Sequence, residues 1–158
     1  MTDKDILSYY ERSTCSVQWL EFNRAFAAEL SAGLPPEEIR QLFRRIGERV
    51  AVALPIERCD TVEQLRAGFN SRWKSIDWGF ATLQEQPDHL GIVHACSPLA
   101  MAFGPDATDW AGGFFEGAYQ TWFAAQGTPA DLRVQAEAAP ADGSPQVTLR
   151  LGRFQGWA

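Results

Sequence analysis

The first half of the chain has apolar residues at every third or fourth position, which is the spacing of amphipathic helices. A first helix is predicted to end at Gly33, and residues 35–36, both proline, begin a second. Residues 60–61 (Asp-Thr), with residues 63–64 (Glu-Gln) three positions on, form a capping box for a third helix. The predicted buried faces are Trp19, Phe22, Phe26 and Leu30; Ile39, Phe43, Ile46 and Val50; and Val62, Leu65, Phe69, Trp73 and Ile76.

Beyond Trp78 and Gly79 apolar residues fall at every second position, as in half-buried strands. Residues 80–85 and 90–96 predict one hairpin, and residues 132–138 and 147–151 predict another around a loop at 140–145. Between them lies a long helix, from about residue 107 to 126. This order of elements predicts an α+β fold, in which helices cover one face of a small antiparallel sheet of about four strands in two hairpins.

The composition fits a single domain over residues 1–158, because a chain of 158 residues with 46% hydrophobic side chains is the usual size of one core. We expect residues 1–14 to form a flexible N-terminal segment. The formal charge of −6 argues against a nucleic-acid partner, since phosphate binding requires clustered Lys and Arg.

The N-terminus is polar and acidic, and no apolar stretch long enough for a secretory signal or a membrane span follows it. Three cysteines, Cys15, Cys59 and Cys96, cannot all pair with one another, which fits a reducing compartment. We therefore predict a cytoplasmic protein that is not embedded in a membrane, with the periplasm as the alternative.

No motif for nucleophilic catalysis, phosphate binding or dinucleotide binding occurs in the sequence, so no catalytic residue and no cofactor are predicted. Glu116 lies among aromatic residues in the long helix. Its predicted role is structural, bonded to a backbone amide or to an arginine; the enzymatic alternative is a hydrolase that uses Glu116 with Asp109.

His94 could share a metal ion with His89, Cys96 or Cys59, because alternate strand residues project in the same direction. The set lacks the ligand spacings that zinc sites use. We therefore predict no metal site, and a core or interface position for His94.

Three glycines, Gly112, Gly113 and Gly117, lie inside the long helix, where each costs about 1 kcal/mol relative to alanine. Gly113 and Gly117 share a face that another backbone could approach closely. The neighbour is either the sheet of the same chain or the same helix in a second copy. In the second case Trp110, Gly113 and Gly117 form the predicted oligomer interface.

Four arginines, Arg40, Arg44, Arg45 and Arg49, fall on the polar side of the second helix. This basic face is either solvated or bound to an acidic partner or to another copy of the chain.

The motifs in the middle of the chain keep a characteristic order. They are Cys59, Thr61, Leu65, Asn70, Ile76-Asp77-Trp78-Gly79, Ile92, His94, Pro98, Trp110, Phe115-Glu116-Gly117-Ala118-Tyr119 and Trp122. In order and spacing they resemble the D subunit of the bacterial cellulose synthase complex, and the resemblance runs from about residue 22 to 154.

The resemblance implies a non-catalytic accessory protein that forms ring-like octamers built from dimers and is needed for efficient, ordered cellulose export. The expected partners are copies of itself, other cellulose-secretion components and, in one account, glucan chains guided through the ring. In the other account the oligomer is an intracellular scaffold that aligns the synthases, which agrees better with the predicted compartment. The runner-up hypothesis is a binding module for glucan or a small ligand.

Aromatic side chains outside the helical and strand stripes are the candidates for direct glucan contact, because sugar rings stack on such rings. They are Tyr9, Tyr10 and Trp157, near the two termini.

Overall fold

A computed structural model describes residues 2–4, 6, 15–139 and 146–153. From residue 17 onward, the described residues contain the helices α1 (Val17–Gly33), α2 (Pro36–Ala53), α3 (Val62–Ser75), α4 (Leu99–Phe103) and α5 (Thr108–Ala125). The strands are β1 (Phe80–Glu85), β2 (His89–Ala95), β3 (Leu132–Ala136) and β4 (Val147–Arg153), and a 3₁₀ turn, Pro105–Ala107, precedes α5. The predicted α+β class is confirmed.

The four strands form one antiparallel sheet in the order β1-β2-β4-β3. Ile92 and Leu149 are fully buried partners at its centre, on the face that the helices cover. Both predicted strand pairs are confirmed, although β3 ends at Ala136 and does not continue to residue 138. The predicted loop at 140–145 and most of the N-terminal segment lie outside the described residues.

The capping box predicted for the third helix is present at the start of α3. Thr61 Oγ1 accepts from Gln64 N at 3.1 Å, and Gln64 Oε1 accepts from Asp60 N at 2.8 Å. No element was predicted between residue 96 and the long helix, but the short helix α4 lies there.

The core is built around α5, which buries residues on every side. Trp73 and Phe69 of α3 contact Tyr119 and Trp122 of α5, with ring centroids 4.9–5.8 Å apart. Helix α2 covers the opposite side of α5. A helix that is apolar all round must be enclosed in this way, so α5 is the central element of the fold.

Glycines set the distance between α2 and α5. A methyl group on Gly117 would lie 2.0 Å from Arg44 O, and one on Gly113 would lie 2.5 Å from Arg40 O. From the other side, a methyl group on Gly47 of α2 would lie 2.0 Å from Phe114 O. The two backbones are therefore in direct contact. Of the two neighbours considered for this glycine face, a partner within the same chain is present, but it is a helix and not the sheet.

Two of the predicted apolar faces are only partly buried. Helix α2 turns Gly47 and Ala51 toward α5, which leaves Ile46, predicted to be buried, 37% exposed. In α1 only Ala27 is fully buried, and the predicted stripe of Trp19, Phe22 and Phe26 is exposed. The period was correct in both helices, but the period does not say which part of an apolar face another element will cover.

We predict that Gly117→Ala destabilises the protein by about 2 kcal/mol, because the methyl group would force α2 and α5 apart. Gly68→Ala is the matched control: it is also inside a helix, but the nearest atoms lie 3.8 Å from the added carbon. That control should be neutral or stabilising by up to about 1 kcal/mol. Urea denaturation of both variants tests the pair, and equal effects would contradict the close-contact explanation.

Candidate functional site

Glu116 lies at the junction of α5, α2 and the sheet, and it is 5% exposed. Its Oε2 accepts from Arg44 Nη1 at 3.1 Å, and its Oε1 accepts from Arg40 Nη2 and, at 3.0 Å, from Ala136 N. The close contact of α2 and α5 brings both arginines within reach. Glu116 thus bonds to a backbone amide and to arginines, as the structural alternative predicted.

The hydrogen bond from Ala136 N to Glu116 also satisfies a backbone donor at the edge of the sheet, because β3 is an edge strand. Next to it, Gln120 Oε1 accepts from Val134 N at 2.7 Å and Gln120 Nε2 donates to Leu132 O at 3.3 Å. Side chains of α5 therefore satisfy the outer edge of β3. Open edges can pair with other chains, and here a carboxylate and an amide cover one of them.

The other edge strand, β1, is covered in a similar way at one residue. Asn70 of α3 donates to Ala81 O at 3.0 Å and accepts from Ala81 N at 2.7 Å. Asn70 thus replaces a neighbouring strand for this residue.

A polar groove of about 930 Å³ lies between α2, α5 and β3. Its lining residues carry both charges and several amides, and include Arg40, Arg44, Glu48, Glu116, Arg133 and Gln135. Carboxylates and guanidinium groups at close quarters offer acceptors and donors to a hydroxylated ligand.

A second polar cluster is buried in the core. His94 Nε2 donates to Trp78 O at 2.7 Å, so His94 Nδ1 is the acceptor for Tyr119 OH, also at 2.7 Å. Tyr119 OH in turn accepts from Trp73 Nε1 at 3.0 Å. Every polar atom of the three side chains has a partner. Burial lowers the pKa of His94 to about 4 and raises the pKa of Tyr119.

The predicted core position of His94 is therefore confirmed. Among the residues that the structure describes, no group of His, Cys, Asp and Glu is arranged to hold a metal ion. His89 instead pairs with Asp88, at 2.7 Å.

An aromatic ladder, formed by Trp19, Phe22 and Phe26, runs along α1. The rings contact one another, with centroids 5.6 Å apart for Trp19 and Phe22 and 6.4 Å apart for Phe22 and Phe26. They are 57%, 61% and 42% exposed. Since a fully buried aromatic side chain removes about 150–250 Å² from water, the ladder exposes roughly 300 Å².

The residues predicted to form sites do not lie together on one surface. Trp110, Gly113 and Gly117 are buried inside the chain, where Gly113 and Gly117 contact α2, so we do not propose an oligomer contact there. Tyr9, Tyr10 and Trp157 lie outside the described residues. The ladder was missed as a surface, since its spacing is that of any buried helical stripe.

The family model for the D subunit of cellulose synthase matches residues 5–152. The chain belongs to this family. Family membership gives it an accessory role in cellulose synthesis. A curated relative, cellulose synthase operon protein D of Komagataeibacter xylinus, is 27% identical over 107 residues, which are 66% of this chain and 69% of the relative.

A solved structure with a similar fold comes from outside the cellulose synthase family. It is trafficking protein particle complex subunit 3 of Naegleria fowleri, covalently bound to palmitic acid. The TM-score is 0.51 and the identity 12%, over 93% of this chain and 96% of the other. At this identity the likeness shows the fold alone.

Within the fold of this cellulose synthase family, the motif residues that carry the resemblance belong mostly to the core. Trp78, His94 and Tyr119 take part in the buried polar chain, and Glu116 and Asn70 bond to the two edge strands. In the part of the chain that the structure describes, no helix has the length and apolar character needed to cross a membrane.

We predict that Glu116→Gln destabilises the protein by about 2 to 3 kcal/mol, because it removes the carboxylate that Arg40 and Arg44 share and leaves Arg44 only the longer contact with Glu48, at 3.9 Å. These arginines are 27% and 23% exposed, so the cost stays below that of a completely buried pair. Glu63→Gln is the control, since it removes an exposed carboxylate paired with Arg66 and should change little. Thermal unfolding would contradict the prediction if both variants lost equal stability.

We also predict that the His94 cluster makes the fold sensitive to acid. The unfolded chain takes up a proton near pH 6.5, whereas the folded chain resists protonation down to about pH 4. The contribution of neutral His94 to the free energy of unfolding is therefore fully present above pH 6.5. It is lost as the pH falls toward 4, by up to about 3 kcal/mol.

The comparison is wild type against His94→Gln, which cannot take up this proton. Their difference in free energy of unfolding, measured with urea, should narrow as the pH falls from 7 to 4.5. A difference that is constant over this range would show that His94 does not carry the acid sensitivity.

Proposed function

We propose that the protein is a non-catalytic subunit that assembles into ring-like homo-oligomers, octamers built from dimers, and organises cellulose synthases so that ordered, crystalline cellulose is exported. The oligomer would lie in the cytoplasm near the inner membrane, with the periplasm as the alternative. Its partners would be copies of itself and other components of the secretion system.

The observation that carries this proposal is the aromatic ladder of α1. None of its rings belongs to the core or to the partly buried residues packed against it. Burying about 300 Å² of apolar surface contributes roughly 7 kcal/mol at 25 cal/mol per Å². Exposed patches of this size on a protein surface are often interaction sites, so the ladder is best explained as a protein contact.

The chemistry of the described residues supports a structural role for Glu116. Glu116 already accepts three hydrogen bonds and Asp109 is not among its partners, which is unlike a catalytic pair. Cys15 and Cys59 carry free thiols, in agreement with a reducing compartment.

A binding module for glucan or another hydroxylated ligand is the second candidate, and the polar groove beside Glu116 favours it. Tyr9, Tyr10 and Trp157 remain predicted glucan contacts. Calorimetric titration with a soluble cello-oligosaccharide, with Arg133→Ala as the groove variant, would detect such binding. Binding by a strict monomer would favour this candidate over the scaffold.

We predict that the protein elutes as an oligomer in light scattering coupled to size exclusion, and that Phe22→Ser lowers its mass. Phe80→Ser is the control, because Phe80 is an exposed apolar residue (49%) of β1, outside the ladder. It should leave the mass unchanged. A wild-type monomer at micromolar concentration would refute the proposal.

The same variants test the biological role in a cellulose-producing strain that lacks this protein. Wild type and Phe80→Ser should restore the yield and the crystallinity of the cellulose, measured by X-ray diffraction, and Phe22→Ser should not. If a monomeric variant fully restored the yield and the crystallinity, the role in export would not depend on assembly, and the proposal would be wrong.

A further inference from the structure

A second exposed surface lies on α2, and its chemistry differs from that of the ladder. Arg45, Arg49 and Val52 are spaced by four and three residues, so they line one side of the helix, and Val52 is 70% exposed. This basic strip points away from α5, since Phe43, Gly47 and Ala51 form the buried side. Arg40 and Arg44, by contrast, turn toward Glu116.

The two arginines of the basic strip form no ion pair with any residue that the structure describes. Arg45 and Arg49 stand one helical turn apart, where like charges repel. The chain as a whole carries a charge of −6. Two adjacent unpaired cations on an acidic protein are a specific feature, and an acidic neighbour would relieve their repulsion.

The ladder has the opposite character at its margins. Glu29 is an exposed residue of α1 that lies three positions after Phe26 and seven after Phe22, so it borders the ladder, and within the described ranges it has no ion-pair partner either. The ladder is thus aromatic and acidic, whereas the strip is basic and aliphatic. Arginine stacks favourably on aromatic faces and pairs with carboxylates.

We propose that the aromatic ladder of one protomer docks on the basic strip of a second copy. In this contact Trp19, Phe22 and Phe26 pack against Val52 and the arginine side chains, while Glu29 faces Arg45 and Arg49. This contact rests on the proposed function, because it specifies how the homo-oligomer is joined. The complementary charges favour it over ladder on ladder, which would bring acidic residues of two copies together.

The symmetry of the assembly follows from this geometry. A contact between two different patches is heterologous, so an open chain of protomers keeps a free ladder at one end and a free strip at the other until a ring closes. A ring of dimers would use this contact together with a second, two-fold interface. A ladder-on-ladder contact would stop at two copies.

A mixing experiment distinguishes the two arrangements. The first variant, Phe22→Ser, has a damaged ladder and an intact strip; the second, R45E/R49E, has the reverse. Measured separately, each variant should lose the heterologous contact. The protein concentration at which half of the chains are assembled should then be at least tenfold higher than for the wild type. Mixed in equal amounts, they should associate into complexes that contain both kinds of chain in equal numbers and are larger than either variant alone, detected by light scattering or native mass spectrometry.

The control for charge is R58E/K74E, which changes the net charge equally at exposed residues outside both surfaces. It should assemble like the wild type. A further variant, E29R combined with R45E/R49E, reverses the charges on both sides of the proposed contact and should recover assembly.

The outcomes separate this inference from the proposed function. If the wild type is an oligomer but R45E/R49E assembles equally well, the docking inference is wrong and the oligomeric scaffold stands. If R45E/R49E assembles and only Phe22→Ser does not, the ladder binds something other than the strip, and the inference fails again. If the wild type is itself a monomer, the proposed function fails first.

Discussion

The close contact between α2 and α5 is the constraint on which the other features of this fold depend. Three glycines, Gly47, Gly113 and Gly117, let the two backbones touch, and a methyl group at any of them would lie within 2.5 Å of a carbonyl oxygen. At this separation Arg40 and Arg44 reach Glu116. The glycines cost helix stability, and the contact they permit compensates for that cost.

Glu116 extends this constraint from the helices to the sheet. By accepting from Ala136 N it connects α5 to β3, while its other bonds connect α5 to α2. Gln120, one turn further along α5, bonds to β3 as well. Because these bonds and that of Asn70 at β1 cover parts of both sheet edges, edge-to-edge pairing is a less favourable route to assembly than the exposed helical faces.

Much of the fold could be predicted from the sequence, because its elements follow local rules. The capping box at Thr61 and the change of period after Gly79 depend on neighbouring residues only. The role of Glu116 was predicted in kind, since a carboxylate among aromatics needs donors. Its donors could not be identified: Arg40 lies 76 positions earlier, and no local pattern connects the two. The glycine face was recognised, but its partner, α2, is equally distant in the chain.

The ladder shows the other limit of such reasoning. A stripe at helical spacing indicates an apolar face, but the same stripe serves the core of one chain or the contact between two. What separates the cases is whether another part of the chain covers the stripe. The short helix α4 packs against one side of α1, and the described residues leave the ladder exposed. A fold shared with a trafficking complex protein at 12% identity therefore says little about assembly. In the assembly proposed above, partners would be chosen by surface residues such as Phe22 and Arg45, which the core does not constrain and which can differ wherever this fold is used.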